Sequence, residues 1–265
     1  MNYFTIKPEE TLADYVRCFW VFEGDVKGDK PYIHRTMASG CPELLFHYKG
    51  QFDELNYSDQ QVTSFISGIH AQTNQFRRFI VKEEFGIFGV YLFPHTINLL
   101  FGIPTDELSN EMPDLFSLFG KEGSELEEKV MLATNNSSRV NLVSQFLISK
   151  LSRSKPRREI IRSIKHVVGS NGDINVEQLA EACALSKRQF ERIFKIYSGF
   201  SPKLYSRIIR FNATISIYKK DTPSLTDIAY EFGYYDQSHF IQDFKEFSGY
   251  NPRAYFLGPA EGRIS

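Results

Sequence analysis

Two stretches of the chain, fifty residues apart, are near copies of one another, and no other feature narrows the fold as much. SKRQFERIFKIYSGFSP (186–202) aligns with DQSHFIQDFKEFSGYNP (236–252). Phe190 pairs with Phe240, Phe194 with Phe244, Lys195 with Lys245, Ser198 with Ser248, Gly199 with Gly249 and Pro202 with Pro252. The differing positions keep the same physical roles. Ser186 and Asp236 are both good acceptors for the free N–H groups of a first helical turn, and Ser186 with Gln189 fits a capping box. Gly199 and Gly249 suit the left-handed residue that closes a helix. Ser201-Pro202 and Asn251-Pro252 then each start another helix with a cap and a proline.

A shorter helix precedes each copy. NVEQLAEACAL (175–185) is capped by Asn175, and SLTDIAYEFGYY (224–235) by Ser224 with Asp227 three residues on. Ala180 and Ala229 occupy matching places and are small enough for two helices to cross closely. Each unit is a helix, a short turn and a capped second helix, which is a helix-turn-helix. PKLYSRIIRFNATISIYKK (202–220) joins the two units. Leu204, Ile208, Phe211, Ile215 and Tyr218 recur at intervals of four and three and share one face of it. Its length of roughly 28 Å suits two reading helices about 34 Å apart, one turn of duplex, although other angles fit it too.

DIAYEFGYYDQSHFIQDFKEFSGYNP (227–252), LAEACALSKRQFERIFK (179–195) and RFNA (210–213) make residues from about 158 to 257 resemble the AraC/XylS family of transcriptional regulators. The N-terminal half resembles, more loosely, the sensor domain of some members. The resemblance implies a bipartite DNA-binding domain with two recognition helices in successive major grooves. It also implies control by an effector or by dimerisation through the other domain.

In the first recognition helix Phe190, Ile193, Phe194 and Tyr197 form the apolar stripe, leaving Lys187, Arg188, Glu191, Arg192 and Lys195 outside. The resemblance places Arg188, Glu191 and Arg192 at bases, and Lys187 and Lys195 at phosphates. Solvated charge is the alternative for each. In the second, Phe240, Phe244 and Phe247 are core, while Gln237, Ser238, Ile241 and Gln242 face out. Ile241 suits a thymine methyl and Lys245 a phosphate. Gln242 stands where many relatives have arginine. His239 reads as a capping or packing histidine, since no acid or nucleophile is spaced to make it catalytic. Arg157, Arg158 and Arg162 add phosphate contacts or form a solvated face.

The first ninety residues favour strands: VRCFWVF (16–22), YIHRTM (32–37), ELLFHYK (43–49), VTSFISGI (62–69), QFRRFIV (75–81) and FGIFGVYLF (85–93). HTINLLFG (95–102), SELEEKVMLA (124–133) and SRVNLVSQFLISKL (138–151) read as helices. The last carries Val140, Val143, Phe146, Leu147 and Leu151 near one face, for dimerisation or for packing within its own domain. SRSKPRRE (152–159) is the linker. The fold class is therefore α+β: a β-rich effector-binding or dimerisation domain over 1–154, and an all-α tandem helix-turn-helix domain over 155–265.

Alternation places Glu43, Leu45 and His47 on one strand face, and Tyr32, His34 and Thr36 on another. A pocket for a small organic effector lined by Trp20, Phe88 and Tyr91, with Glu43 or His47 as polar anchors, is the main reading. His34, His47 and Glu43 converging on a metal is the alternative, and no compact ligand motif supports it. Core packing is the default for each aromatic.

Residues 1–149 carry 12 basic and 20 acidic side chains, and residues 150–265 carry 19 and 12. An acidic half joined to a basic half suggests that one part meets a polyanion. Cys18, Cys41 and Cys183 have neither metal-clip spacing nor an even count, so reduced thiols are expected. No apolar run suits a membrane span, and the N-terminus does not read as a signal peptide. The expectation is a cytoplasmic regulator without cofactor or metal, whose partners are double-stranded operator DNA and an effector. RNA polymerase and a second copy of the chain stay open as partners. Two rivals remain. An enzyme resembling the DNA-alkylation repair regulators needs a cysteine cluster, and Cys18 and Cys41 stand alone. A helical-repeat interaction module would fail to footprint on duplex DNA.

Overall fold

A computed structural model describes residues 1–26, 30–151, 157–216 and 224–257. The N-terminal half is built on two antiparallel sheets. Its strands are β1 (Asn2–Ile6), β2 (Val16–Gly24), β3 (Tyr32–Thr36), β4 (Glu43–Lys49), β5 (Asp53–Leu55), β6 (Gln61–Val62), β7 (Ser67–His70), β8 (Arg77–Val81) and β9 (Phe85–Leu92). One sheet runs β1-β2-β9-β4-β7 and the other β3-β8-β5-β6. The single strand expected over 62–69 is two, because the chain leaves one sheet after Val62 and joins the other at Ser67. β1 and β5 were not foreseen. β5 is acidic and has little strand propensity of its own; pairing with β8 recruits it, helped by an Arg77–Glu54 ion pair at 2.7 Å.

Strand alternation gives the five-stranded sheet two different faces. Phe19, Val21, Leu44, Phe46, Phe88 and Val90 point to the helices that follow. These are α1 (Thr96–Phe101), α2 (Thr105–Leu108), α3 (Leu115–Phe119), α4 (Lys121–Leu132) and α5 (Asn136–Ser149). On α5, Val143, Phe146 and Leu147 are buried in this core, with Val140 and Leu151 packed beside them. The apolar stripe is thus covered inside its own half. The other sheet face carries Trp20, Phe22 and Ile87 toward the four-stranded sheet.

The C-terminal half is helical: α6 (Arg158–Gly169), α7 (Val176–Ala182), α8 (Lys187–Ser198), α9 (Pro202–Ser216), α10 (Leu225–Glu231), α11 (Gln237–Ser248) and α12 (Pro252–Leu257). The caps form as the repeat predicts. Ser186 closes a capping box with Gln189, Ser224 one with Asp227, and Asp236 accepts from the His239 N–H at 2.8 Å. Gly199 and Gly249 end α8 and α11 at φ 87° and 73°, a region that disfavours any side chain. Phe190, Phe194, Phe240, Phe244 and Phe247 are all fully buried in one core with Ile208 and Phe211 of α9. The expected linker falls largely on 152–156, and the end of the joining helix, with Tyr218, on 217–223; both lie outside the described residues.

Candidate nucleic-acid interface and ligand cavity

A cavity of about 680 Å³ lies between the two sheets and reaches the C-terminal half. Strand register builds its floor in rows. Cys18, Tyr91, Glu43 and His70 align across β2, β9, β4 and β7. The next row is Trp20, Gly89, Leu45 and Gly68, and the next Phe22, Ile87 and His47. Gly89 is required by the close approach of the indole above it: a Cβ there would lie 2.1 Å from Trp20 Cε2. His34 and Phe79, paired across β3 and β8, form the opposite wall. Ile209, Asn212 and Ala213 of α9 close one side.

Burial sets the charge states here. It pushes the Glu43 carboxyl up to about 8, against partial relief from the hydroxyl of Tyr91 and the indole N–H of Trp20. It pulls His34 and His70 down to about 4, and lowers His47. The Tyr91 phenol is raised, first by the neighbouring Glu43 carboxylate and then by burial, and stays a donor. Among the described residues no cluster of His, Cys, Asp or Glu suits a metal ion.

Five of the six residues expected to line a pocket do so: Trp20, His34, Glu43, His47 and Tyr91. Phe88 does not. It sits opposite Val21 and Phe46 on the helix-facing side of the sheet, fully buried and stacked on Phe19 at 5.9 Å. The sequence reading grouped it with Tyr91, three residues away, although alternation sends the two to opposite faces. Tyr3, His70, Phe79 and Asn212 line the cavity without having been foreseen. They arrive by pairing between distant strands and by docking of α9, neither of which leaves a local signal.

On α8, Lys187, Arg188, Arg192 and Lys195 are exposed and Glu191 is half-buried. Lys187 pairs with Glu177 at 2.9 Å and Lys195 with Asp106 of α2 at 3.3 Å. Arg188 and Arg192 have no ion-pair partner among the described residues. On α11, Gln237, Ser238, Gln242 and Lys245 are exposed. The Gln237 side chain already accepts from the Thr226 hydroxyl at 3.2 Å. Ile241 is half-buried against the C-terminal core, so only part of it is left for a partner. The His239 ring is exposed rather than packed on the core phenylalanines; its backbone N–H closes the cap on Asp236, and its Nδ1 lies 3.6 Å from the same carboxylate. Arg157, Arg158 and Arg162 are exposed on or beside α6. Arg207 of α9 ties α11 in place through Asp243 at 2.7 Å and Glu246 at 2.6 Å.

The N-terminal half holds the C-terminal ends of both α8 and α11, where helix carbonyls lack partners of their own. Ser109 donates its hydroxyl to the Gly199 carbonyl at 2.8 Å. Arg35 donates to the Ser248 carbonyl at 3.1 Å, and the Ala38 N–H to that of Phe247 at 2.9 Å. Ala38 is itself part of the C-terminal core, and its carbonyl accepts from Asn212 Nδ2 at 2.8 Å.

Residues 179–257 match a family model described as a helix-turn-helix domain. The C-terminal half carries an AraC-type helix-turn-helix domain. An uncharacterized HTH-type transcriptional regulator of Haemophilus influenzae is 29% identical over 115 residues, 43% of this chain and 38% of that protein. The HTH-type transcriptional activator RhaS of Escherichia coli is 31% identical over 81 residues, 31% of this chain and 29% of that protein. The chain thus covers well under half of each relative. ToxT from Vibrio cholerae aligns over 90% of this chain and 97% of its own at 13% identity, with a TM-score of 0.47. Upstream of the AraC-type domain, residues 4–114 match a family model described as a domain of unknown function. No helix among the described residues is long and apolar enough to cross a membrane.

Proposed function

We propose that the chain is a sequence-specific, double-stranded-DNA-binding transcriptional regulator acting in the cytoplasm, with no catalytic role. The observation that carries this is the pair of capped helices, α8 and α11, each the second helix of its own helix-turn-helix and each leaving an exposed polar row. Arg188 and Arg192 serve as base readers on α8, with Glu191 beside them. Gln237, Ser238, Gln242 and the exposed part of Ile241 serve on α11. Lys187, Lys195 and Lys245 exchange weak surface ion pairs or solvent for phosphates, so affinity falls steeply with salt. The domain boundary lies between 154 and 155. Selection from random duplexes tests the reading: bound sequences should carry two half-sites about one helical turn apart. Recovery of unenriched sequence would refute it.

The cavity is the effector site in this reading. Its volume falls within the roughly 300–1,000 Å³ usual for small ligands. Arg35, Met37, Ser39 and Gly40 line it, and the same segment holds the end of α11 through Arg35 and Ala38. An occupant that shifts this segment shifts α11. Repeating the selection with metabolites present should then change the preferred half-site spacing or the yield.

A further inference from the structure

Glu43 stands in the cavity floor without a cation to neutralise it. Among the described residues it has no ion pair, and the groups that bear on its carboxyl are the Tyr91 hydroxyl and the Trp20 indole N–H. The indole nitrogen has no fully formed hydrogen bond of its own. Tyr3, Trp20 and Tyr91 form a run of rings beside it, with centroids 6.1 Å and 6.0 Å apart, and Phe22 lies 6.4 Å from Tyr3. Ring faces carry partial negative charge and attract cations. A buried carboxylate without a counter-ion is costly, and a cation supplied from outside removes that cost.

The positive side chains of the lining do not compete. Arg35 is turned away, its guanidinium lying over Phe76 at 4.8 Å and Tyr250 at 4.1 Å. Arg17 is exposed, beside the irregular register between Val16 and Cys18, at the mouth. His34, His47 and His70 are held neutral by burial. Past Arg17, an anionic ligand would meet the Glu43 carboxyl and, among the described residues, no unengaged cation.

We propose that the cavity takes an organic cation, an ammonium group on an apolar body, with Glu43 as counter-ion and Tyr3, Trp20 and Tyr91 as its collar. This rests on the reading of the cavity as the effector site. Binding releases one proton to solvent: the carboxylic acid of Glu43 becomes a carboxylate paired with the incoming ammonium, and no covalent bond to the ligand forms.

Trp20 is the sole tryptophan of the chain, so its emission reports on the cavity alone. The full chain is titrated with three probes of one shape: 2-phenylethylammonium, 2-phenylethanol and 3-phenylpropanoate. The cation should bind at least about tenfold more tightly than either, and Glu43→Gln should abolish that preference. Glutamine matches the protonated acid in shape, so the fold should survive. Wild-type affinity for the cation should also rise with pH, by up to about tenfold per unit, and level off near the Glu43 midpoint of about 8. Tyr3, Cys18, Cys41 and Tyr91 face the same row with raised values, and the three histidines with lowered ones, so none has its midpoint between pH 6.5 and 8.

Equal or tighter binding of the alcohol or the carboxylate would overturn the cation assignment and leave the effector site standing. Unchanged cation binding by Glu43→Gln, or no response of the emission to the cation, would also overturn it. Failure of the duplex selection would remove the DNA reading without touching this result.

Discussion

The Arg35 guanidinium lies 4.1 Å from the centre of the Tyr250 ring, joining a strand of the N-terminal half to the turn that follows α11. The same group donates to the Ser248 carbonyl at 3.1 Å. A charged hydrogen bond and a stacked ring together contribute about 1–3 kcal/mol. Arg35→Met should therefore speed amide exchange in the last turn of α11 and leave the last turn of α8 unchanged. Equal loosening of both turns would show that the contact does not hold α11 in particular.

Arg192 is exposed on α8 and has no ion-pair partner among the described residues. Replacing it with alanine should weaken operator binding by about 1–3 kcal/mol and relax preference at one base position. Lys245→Ala should weaken all sequences alike and reduce the salt slope by about one. Circular dichroism should register neither change.

The pH dependence of stability follows from Glu43 and its neighbours. Folded Glu43 keeps its proton up to about pH 8, whereas an unfolded glutamate loses it near 4.5. Its contribution favours the fold below that lower value and is lost as pH rises through about 8. His34 and His70 act in the opposite sense. Their contribution is present above 6.5 and lost as pH falls through about 4. Between pH 6.5 and 8 the decline belongs to Glu43, and solvent in the cavity keeps it below the limit of about 1.4 kcal/mol per pH unit. As pH rises across that window, the urea midpoint of the wild type should lose ground relative to that of Glu43→Gln, the histidine contribution being common to both.

Gly89→Ala would force a methyl group into the Trp20 ring. Overpacking of this kind costs about 1–3 kcal/mol. The urea midpoint should drop and the tryptophan emission should shift. An unchanged spectrum would mean that the indole does not rest on Gly89 in solution.

Residues 155–265 alone should fold and bind duplex DNA, because the phenylalanine core comes almost wholly from this half. Ala38 is the buried exception, with Met37 packed beside it, and their loss leaves a small gap at the edge of that core. An insoluble fragment would move the boundary.

The C-terminal half was legible because its signals are local. Caps, left-handed glycines and a four-residue phenylalanine spacing each act within a turn or two, and the repeat shows them twice. The cavity was legible only in part. Alternation along β4 put Glu43 and His47 on one face, but His70 comes beside Glu43 only because β7 pairs with β4, and Asn212 joins the lining, on the Ala38 carbonyl, only because α9 docks. Both contacts join residues far apart in the chain. The same alternation, applied along β9, separates Phe88 from Tyr91. The grip on the two helix ends was invisible, since serine, alanine and arginine donors carry no motif.

That grip is unequal. The end of α8 is held by Ser109, from the loop beyond the sheets, and the end of α11 by the strand segment that forms the cavity wall. If the cavity is the effector site proposed above, a guest there would pull on one hand and leave the other where it was. The regulator would change its stride along the promoter, keeping one foothold and relocating the other, instead of letting go altogether.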